Sequence, residues 1–164
     1  MDSRTGHLER LTHNWAIDTN PVFSPTGDEI AFTSDRSGTQ QIYIMDATGA
    51  GVRRLTYNGK YNDLADWSPR GDKMVFSHQI GGQFQIAVID VTGDNMYILT
   101  SRGSNESPSW SPDGYHILFS SNRMGTSQLY VMNWDGTDVR RLTNTQSDNK
   151  TPVWSPRYRW NFKT

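Results

Sequence analysis

Short runs of apolar residues recur along this chain at regular distances, each bounded by turn residues. Glu29-Ile30-Ala31-Phe32-Thr33-Ser34, Lys73-Met74-Val75-Phe76-Ser77 and His116-Ile117-Leu118-Phe119-Ser120 each follow a Ser-Pro turn that ends in glycine. Runs of this length predict β-strands, and no stretch carries a sustained helical stripe. A further strand follows in each unit, at Gln41-Ile42-Tyr43-Ile44-Met45, Gln85-Ile86-Ala87-Val88-Ile89 and Gln128-Leu129-Tyr130-Val131-Met132, and another runs into each Leu-Thr pair. The turn before each run belongs to a repeated motif: Phe23-Ser24-Pro25, Trp67-Ser68-Pro69, Trp110-Ser111-Pro112 and Trp154-Ser155-Pro156. Its prolines are spaced 44, 43 and 44 residues apart, and Leu11-Thr12, Leu55-Thr56, Leu99-Thr100 and Leu142-Thr143 keep the same beat. Four strands in a unit of that length predict an all-β fold, a β-propeller built of four-stranded antiparallel blades.

The reading divides the chain into one propeller segment, with complete blades at 21–56, 65–100 and 108–143 and partial blades at 1–12 and 151–164. Met1-Asp2, Gly6 and Leu11-Thr12 match the interior of a repeat, so the chain is expected to begin in mid-blade. Thr151-Pro152-Val153-Trp154-Ser155 reads as the first strand of another blade, followed by Trp160-Asn161-Phe162. The two partial blades are expected either to clasp one another or to stand as open edges. Open edges predict self-association, because unpaired strands and uncovered apolar faces seek partners.

Composition narrows the function. Lys and Arg number 16 against 17 Asp and Glu, a net charge of −1, which provides no basic footprint for DNA or RNA. There is no cysteine, so disulfides and thiolate chemistry are absent. No apolar run approaches the ~20 residues of a membrane-spanning helix, and the first residues lack the apolar stretch of a signal peptide. The four histidines, His7, His13, His78 and His116, stand at non-equivalent repeat positions without metal-ligand spacing. GxSxG, Walker and dinucleotide-binding motifs are also absent. The expectation is a non-catalytic protein without metal or cofactor. A cation held by Asp18, Asp63 and Glu106 at the channel is a lesser alternative.

Several segments carry a more specific likeness. Phe32-Thr33-Ser34-Asp35-Arg36-Ser37-Gly38, Ala65-Asp66-Trp67-Ser68, Gly81-Gly82-Gln83 before Gln85-Ile86-Ala87, Glu106-Ser107-Pro108-Ser109 and Pro152-Val153-Trp154-Ser155-Pro156 follow one another in an order that resembles the C-terminal blades of the TolB family. These are periplasmic propeller proteins of the Tol–Pal system. The resemblance implies a protein-interaction platform that binds Pal, the peptidoglycan-associated lipoprotein, and supports outer-membrane integrity and cell division. It also implies a periplasmic location. Generic repeats of this kind occur in the propellers of prolyl-oligopeptidase-like peptidases and in oligogalacturonate lyases. An accessory, gating propeller of a hydrolase is therefore one alternative, and a propeller fragment without independent activity is another.

By the same resemblance, the partner surface is one mouth of the propeller, formed by the segments leading into each innermost strand: Asp18-Thr19-Asn20, Asn62-Asp63-Leu64, Asn105-Glu106-Ser107 and Asn149-Lys150-Thr151. Thr19, Asp18, Asp63, Glu106 and Lys150 are the expected partner-binding residues, Thr19 first among them because its place before Asn20-Pro21 matches a family position tied to Pal binding. The plainer reading is that the Asp or Asn at 18, 62, 105 and 149 braces turns by accepting backbone N–H bonds. Phe23, Trp67, Trp110 and Trp154 are expected to pack between blades. Arg36 and Arg123, with His78 as a replacement in the middle unit, are expected to tie turns together.

Overall fold

The computed structural model describes residues 6 and 8–155. Within them the chain folds into three four-stranded antiparallel sheets, each a contiguous run of sequence. Blade 1 contains β1 (Asp18–Phe23), β2 (Glu29–Ser34), β3 (Gln41–Asp46) and β4 (Arg53–Arg54). Blade 2 contains β5 (Asn62–Trp67), β6 (Lys73–Ile80), β7 (Gln83–Asp90) and β8 (Tyr97–Ile98). Blade 3 contains β9 (Asn105–Trp110), β10 (His116–Ser121), β11 (Gln128–Asn133) and β12 (Arg140–Arg141). In each blade the strands pair in chain order, and β1, β5 and β9, the first strand of each blade, line one common space.

Strand periodicity explains how the blades stack. Successive side chains of a strand point to opposite faces, so a central strand feeds two separate cores. In β6, Met74 and Phe76 join Ala31, Ile42, Ile44 and Leu55 of blade 1, whereas Val75 joins Trp110, Ile117 and Phe119 of blade 3. The repeated tryptophans seal these junctions. Trp67 and Trp110 are buried at 5% and 6% exposure, and the Trp67 indole N–H donates to the Val22 carbonyl of the preceding blade at 3.3 Å. Phe23 holds the same position in blade 1 and is 60% exposed. Trp154, expected to pack in the same way, is 36% exposed.

The inner strands differ from the sequence reading at their starts. Segments 18–20, 62–64 and 105–107, expected as lead-in loops, belong to β1, β5 and β9. A β-bulge separates them from the remainder of each strand, with register shifts between Thr19 and Val22 and between Asp63 and Asp66, and opposite Leu118 and Ser120 in blade 3. The bulged residues Asn20, Leu64 and Ser107 have φ of 50°, 55° and 55°, and Thr151 repeats the geometry at 49°. A bulge of this kind is invisible to alternation, because its extra residue breaks the period on which the reading depends.

Of the partial blades, residues 1–5, 7 and 156–164 lie outside the described residues, as do Met1-Asp2 and Trp160-Asn161-Phe162. Segments 8–12 and 151–155 are described and are not paired into a strand ladder. Leu11 packs instead against Ile30, Phe32, Tyr43 and Met45 on the outward face of blade 1.

Blade 2 departs from its neighbours at the hairpin between its central strands. Gly81 and Gly82 both have positive φ, 56° and 83°, which is the requirement of a two-residue type I′ turn. β6 and β7 therefore pair on to residues 80 and 83, two residues beyond the points where the equivalent strands of blades 1 and 3 give way to the Asp-Arg-Ser-Gly and Asn-Arg-Met-Gly loops.

Candidate partner-binding mouth

The strands position one polar ring from each junction. In blade 2, Thr100 Oγ1 donates to Gln85 Oε1 at 2.8 Å, and Asn105 Nδ2 of the next blade donates to the same oxygen at 2.9 Å. The Thr100 hydroxyl also accepts from the Ile86 N–H at 2.9 Å. Gln41, Thr56 and Asn62 repeat this set at the first junction, and Gln128, Thr143 and Asn149 at the third. The recurrent Leu-Thr pair, the strand-opening Gln and the Asx at the head of the inner strand are thus parts of one inter-blade clamp. Because Gln41 and Gln128 are fully buried, losing an acceptor there would strand a donor in the dry junction. Asn62, Asn105 and Asn149 act structurally by donating both across the blade boundary and to backbone carbonyls of the turns before them, rather than by accepting backbone N–H bonds, while Asp18 accepts from Arg36.

The arginines complete the same frame. Arg36 donates through Nη2 to Asp18 Oδ1 at 3.1 Å and through Nε to Ser34 Oγ at 2.9 Å, with its guanidinium over Phe32 and Tyr43. Arg123 does the same with Asn105 and Ser121, over Phe119 and Tyr130. In blade 2, His78 stands in register with Ser34 and Ser121, not with the arginines, and its Nδ1 lies 2.7 Å from Asn62 Oδ1. One imidazole thus replaces a Ser and an Arg, which suits a blade whose tight hairpin leaves no loop for an arginine. Burial holds the His78 pKa below the ordinary histidine value.

Against this frame the expected partner-binding residues separate by environment. Burial raises the Asp18 pKa, but hydrogen bonds from Ser34, Arg36 and Thr12 and the Arg36 charge outweigh it, and the carboxyl titrates below the usual range. Asp63 Oδ1 accepts from Thr33 Oγ1 at 2.7 Å and Asn20 Nδ2 at 2.8 Å, both in blade 1, and from the Leu64 N–H at 2.7 Å. Thr19 and Glu106 are exposed, Glu106 leaning on Ser104 Oγ at 3.1 Å. Lys150 is exposed and pairs with Asp148 at 3.2 Å. Thr19, Asp63 and Glu106 share one register position, each opposite the Thr or Ser at 33, 77 or 120.

Below this rim, the bulges turn equivalent triplets of the inner strands toward a common space of about 300 Å³. Asn20-Pro21-Val22, Leu64-Ala65-Asp66, Ser107-Pro108-Ser109 and Thr151-Pro152-Val153 line it. Asp66 is the titratable side chain among them. Burial raises its pKa, with partial relief from the Trp110 N–H, which it accepts at 2.8 Å, and from Ser109 and the Trp67 N–H. Among the described residues no group of three or more His, Cys, Asp or Glu is arranged to hold a metal ion.

Blades of four antiparallel strands, clamped edge to edge and converging on a lined channel, define a β-propeller with an open mouth. The family model described as the TolB beta propeller domain matches residues 1–159, and the chain belongs to that family. It superposes on TolB from Acinetobacter baumannii with a TM-score of 0.82 and 33% identity, covering 91% of this chain and 38% of that one. A putative TolB from Agrobacterium tumefaciens gives a TM-score of 0.82 at 28% identity, over 87% and 53%. The Tol-Pal system protein TolB of Bordetella pertussis is 54% identical over 37 residues, 23% of this chain and 8% of that protein. The chain therefore spans well under two thirds of the length of each of these relatives.

Proposed function

We propose that this propeller is a non-catalytic partner-binding module whose mouth recognises a Pal-like lipoprotein of the periplasm, in support of outer-membrane integrity. The observation that carries the reading is the contrast at the mouth between constancy and variation. The Gln-Thr-Asx clamp repeats from junction to junction, while the rim position beside each bulge changes from Thr19 to Asp63 to Glu106 to Lys150. A fixed frame carrying different charges suits recognition of an asymmetric protein surface. Thr19, Glu106 and Lys150 offer exposed side chains for direct contact. Asp18 and Asp63 contribute through the shape and charge of the rim, being held by Arg36 and by Asn20 and Thr33.

The test is titration of the chain with a Pal periplasmic domain, using wild type, Thr19→Arg and Glu106→Lys, with folding of each variant checked by circular dichroism. Both substitutions are expected to weaken binding tenfold or more. Tight binding that neither changes would remove the mouth as the contact surface.

A further inference from the structure

The two junctions between complete blades are not equivalent on the side away from the mouth. Between blades 1 and 2, Arg53 of β4 crosses the boundary and its Nη1 donates to the Val91 carbonyl at 2.9 Å. Its Nη2 lies 3.5 Å from Glu29 Oε1. An aliphatic stem carrying a guanidinium thus bridges this junction from within the chain. By strand register, Arg53 opposite Ile44 corresponds to Tyr97 opposite Val88 in blade 2, and Val91 corresponds to Trp134 in blade 3. The cation equivalent to Arg53 is missing from the second junction, where Lys73 takes the place of Glu29 and Arg70 reaches over the Tyr115 ring of blade 3 at 6.0 Å instead. In its place lies a groove of about 560 Å³, floored by Val88 and Ile89, flanked by Tyr97 and Trp134, and edged by Asp90 and Asp135. Tyr97 and Trp134 are 61% and 44% exposed. That volume falls within the range of small-ligand sites, ~300–1,000 Å³.

We propose that this groove binds an organic cation, a guanidinium or ammonium group on an apolar stem. The inference goes beyond the mouth and uses none of its residues. The first junction displays part of the chemistry, since there the chain supplies such a group itself, held by the Val91 carbonyl and Glu29; the second keeps the carbonyl, at Trp134, while Lys73 replaces Glu29 and the acids are Asp90 and Asp135. Charge agrees: Asp90 and Asp135 outnumber Lys73, whose ammonium is already bound to Asp90. Two exposed aromatic rings at the walls add the negative faces that attract cations. The fold makes the same contact elsewhere, with Arg36, Arg54 and Arg123 each set over aromatic rings at 4.6–5.3 Å. A stem then lies along Val88, Ile89 and Ile98 with its charged end between the carboxylates.

Agmatine, a guanidinium on a four-carbon stem, tests this directly by calorimetry on the 164-residue chain, with the Trp134 indole N–H followed by NMR. Saturable binding that moves the Trp134 signal is expected, with the neutral isostere butylurea at least tenfold weaker. Tyr97→Arg would place the chain's own guanidinium in the groove and should weaken agmatine tenfold or more. Should that variant misfold, Trp134→Leu, which removes a partly exposed ring and keeps apolar bulk, is expected to do the same. An Ala-Arg-Ala peptide that binds more tightly than agmatine would assign the groove to a protein side chain, and the reverse order would assign it to a free amine; both support the proposal. Absence of a Trp134 shift, equal affinity for butylurea, or unchanged binding in folded variants would overturn it.

Discussion

Replacing Asp63 by Ala separates a residue that holds the mouth from one that touches a partner. Its Oδ1 collects three donors, from Thr33, Asn20 and the Leu64 N–H, at 2.7–2.8 Å. Two of these come from blade 1, so the carboxylate joins two blades as well as fixing the bulge at Leu64. A hydrogen bond to a charged group is worth about 1.5–3 kcal/mol when water is excluded. Asp63 is half-buried, so water can replace part of each bond, and the variant should lose about 2–3 kcal/mol rather than the full sum of three. Asp63→Asn keeps an acceptor oxygen but forfeits the charge, and should lose about 1 kcal/mol. Urea unfolding followed by tryptophan fluorescence and by circular dichroism reads both values from one transition. If Asp63→Ala unfolds within ~0.5 kcal/mol of wild type, the triple acceptor contributes nothing to stability and the bridging argument fails. A stable Asp63→Ala chain that no longer bound Pal would then make Asp63 a direct contact.

Two further outcomes follow from the geometry. Trp67→Ala should cost about 3–5 kcal/mol by opening the first junction, whereas Phe23→Ala, at the same repeat position on an uncovered face, should cost less than about 1 kcal/mol; chemical denaturation of the pair checks the contrast. For His78, the folded pKa lies below the unfolded value of 6.5, so the unfolded chain takes up its proton first. Its contribution should be fully present above pH 6.5 and be lost as pH falls through the depressed folded value, and His78→Gln should flatten that part of a stability–pH profile.

Most of the fold was legible because the repeat imposes the same demands three times. The apolar runs that became β2, β6 and β10 and the Gln-initiated runs that became β3, β7 and β11 stand where alternation and turn residues put them. The tryptophans at 67 and 110 pack between blades as their position in the motif implied. Less legible were features that depend on pairing partners. The bulges at Asn20, Leu64 and Ser107 arise from register against β2, β6 and β10, and no local signal marks Leu64 as a residue with positive φ. The clamp was equally hidden: Thr100 and Asn105 lie 15 and 20 residues beyond Gln85 with no local pattern linking them to it, and strand pairing together with closure of the junction brings both onto one oxygen. Ring position was readable, and the environment that distinguishes Thr19 from Asp63 was not.

The departures from the repeat carry a different kind of information from the repeat itself. A position kept in every blade is explained by the clamp, the turn or the core, and selects no ligand. Where blade 2 breaks the pattern, the changes are physically linked: Gly81-Gly82 tightens the hairpin, the loop arginine disappears, and His78 assumes its bond to Asn62. That set compensates within the blade and restores the frame. Tyr97 in the place of Arg53 behaves otherwise. The Arg53–Glu29 pair gives way to Lys73–Asp90 within the blade and Arg70 lies over Tyr115 across the junction, but among the described residues no cation reaches the Trp134 carbonyl, which stands where Val91 receives a guanidinium, beside a groove walled by two exposed rings. A compensated departure preserves structure, and an uncompensated one leaves chemistry exposed to a ligand. By that criterion the varied rim at Thr19, Glu106 and Lys150 and the groove at Tyr97 and Trp134 are surfaces, among the described residues, that the propeller architecture does not require.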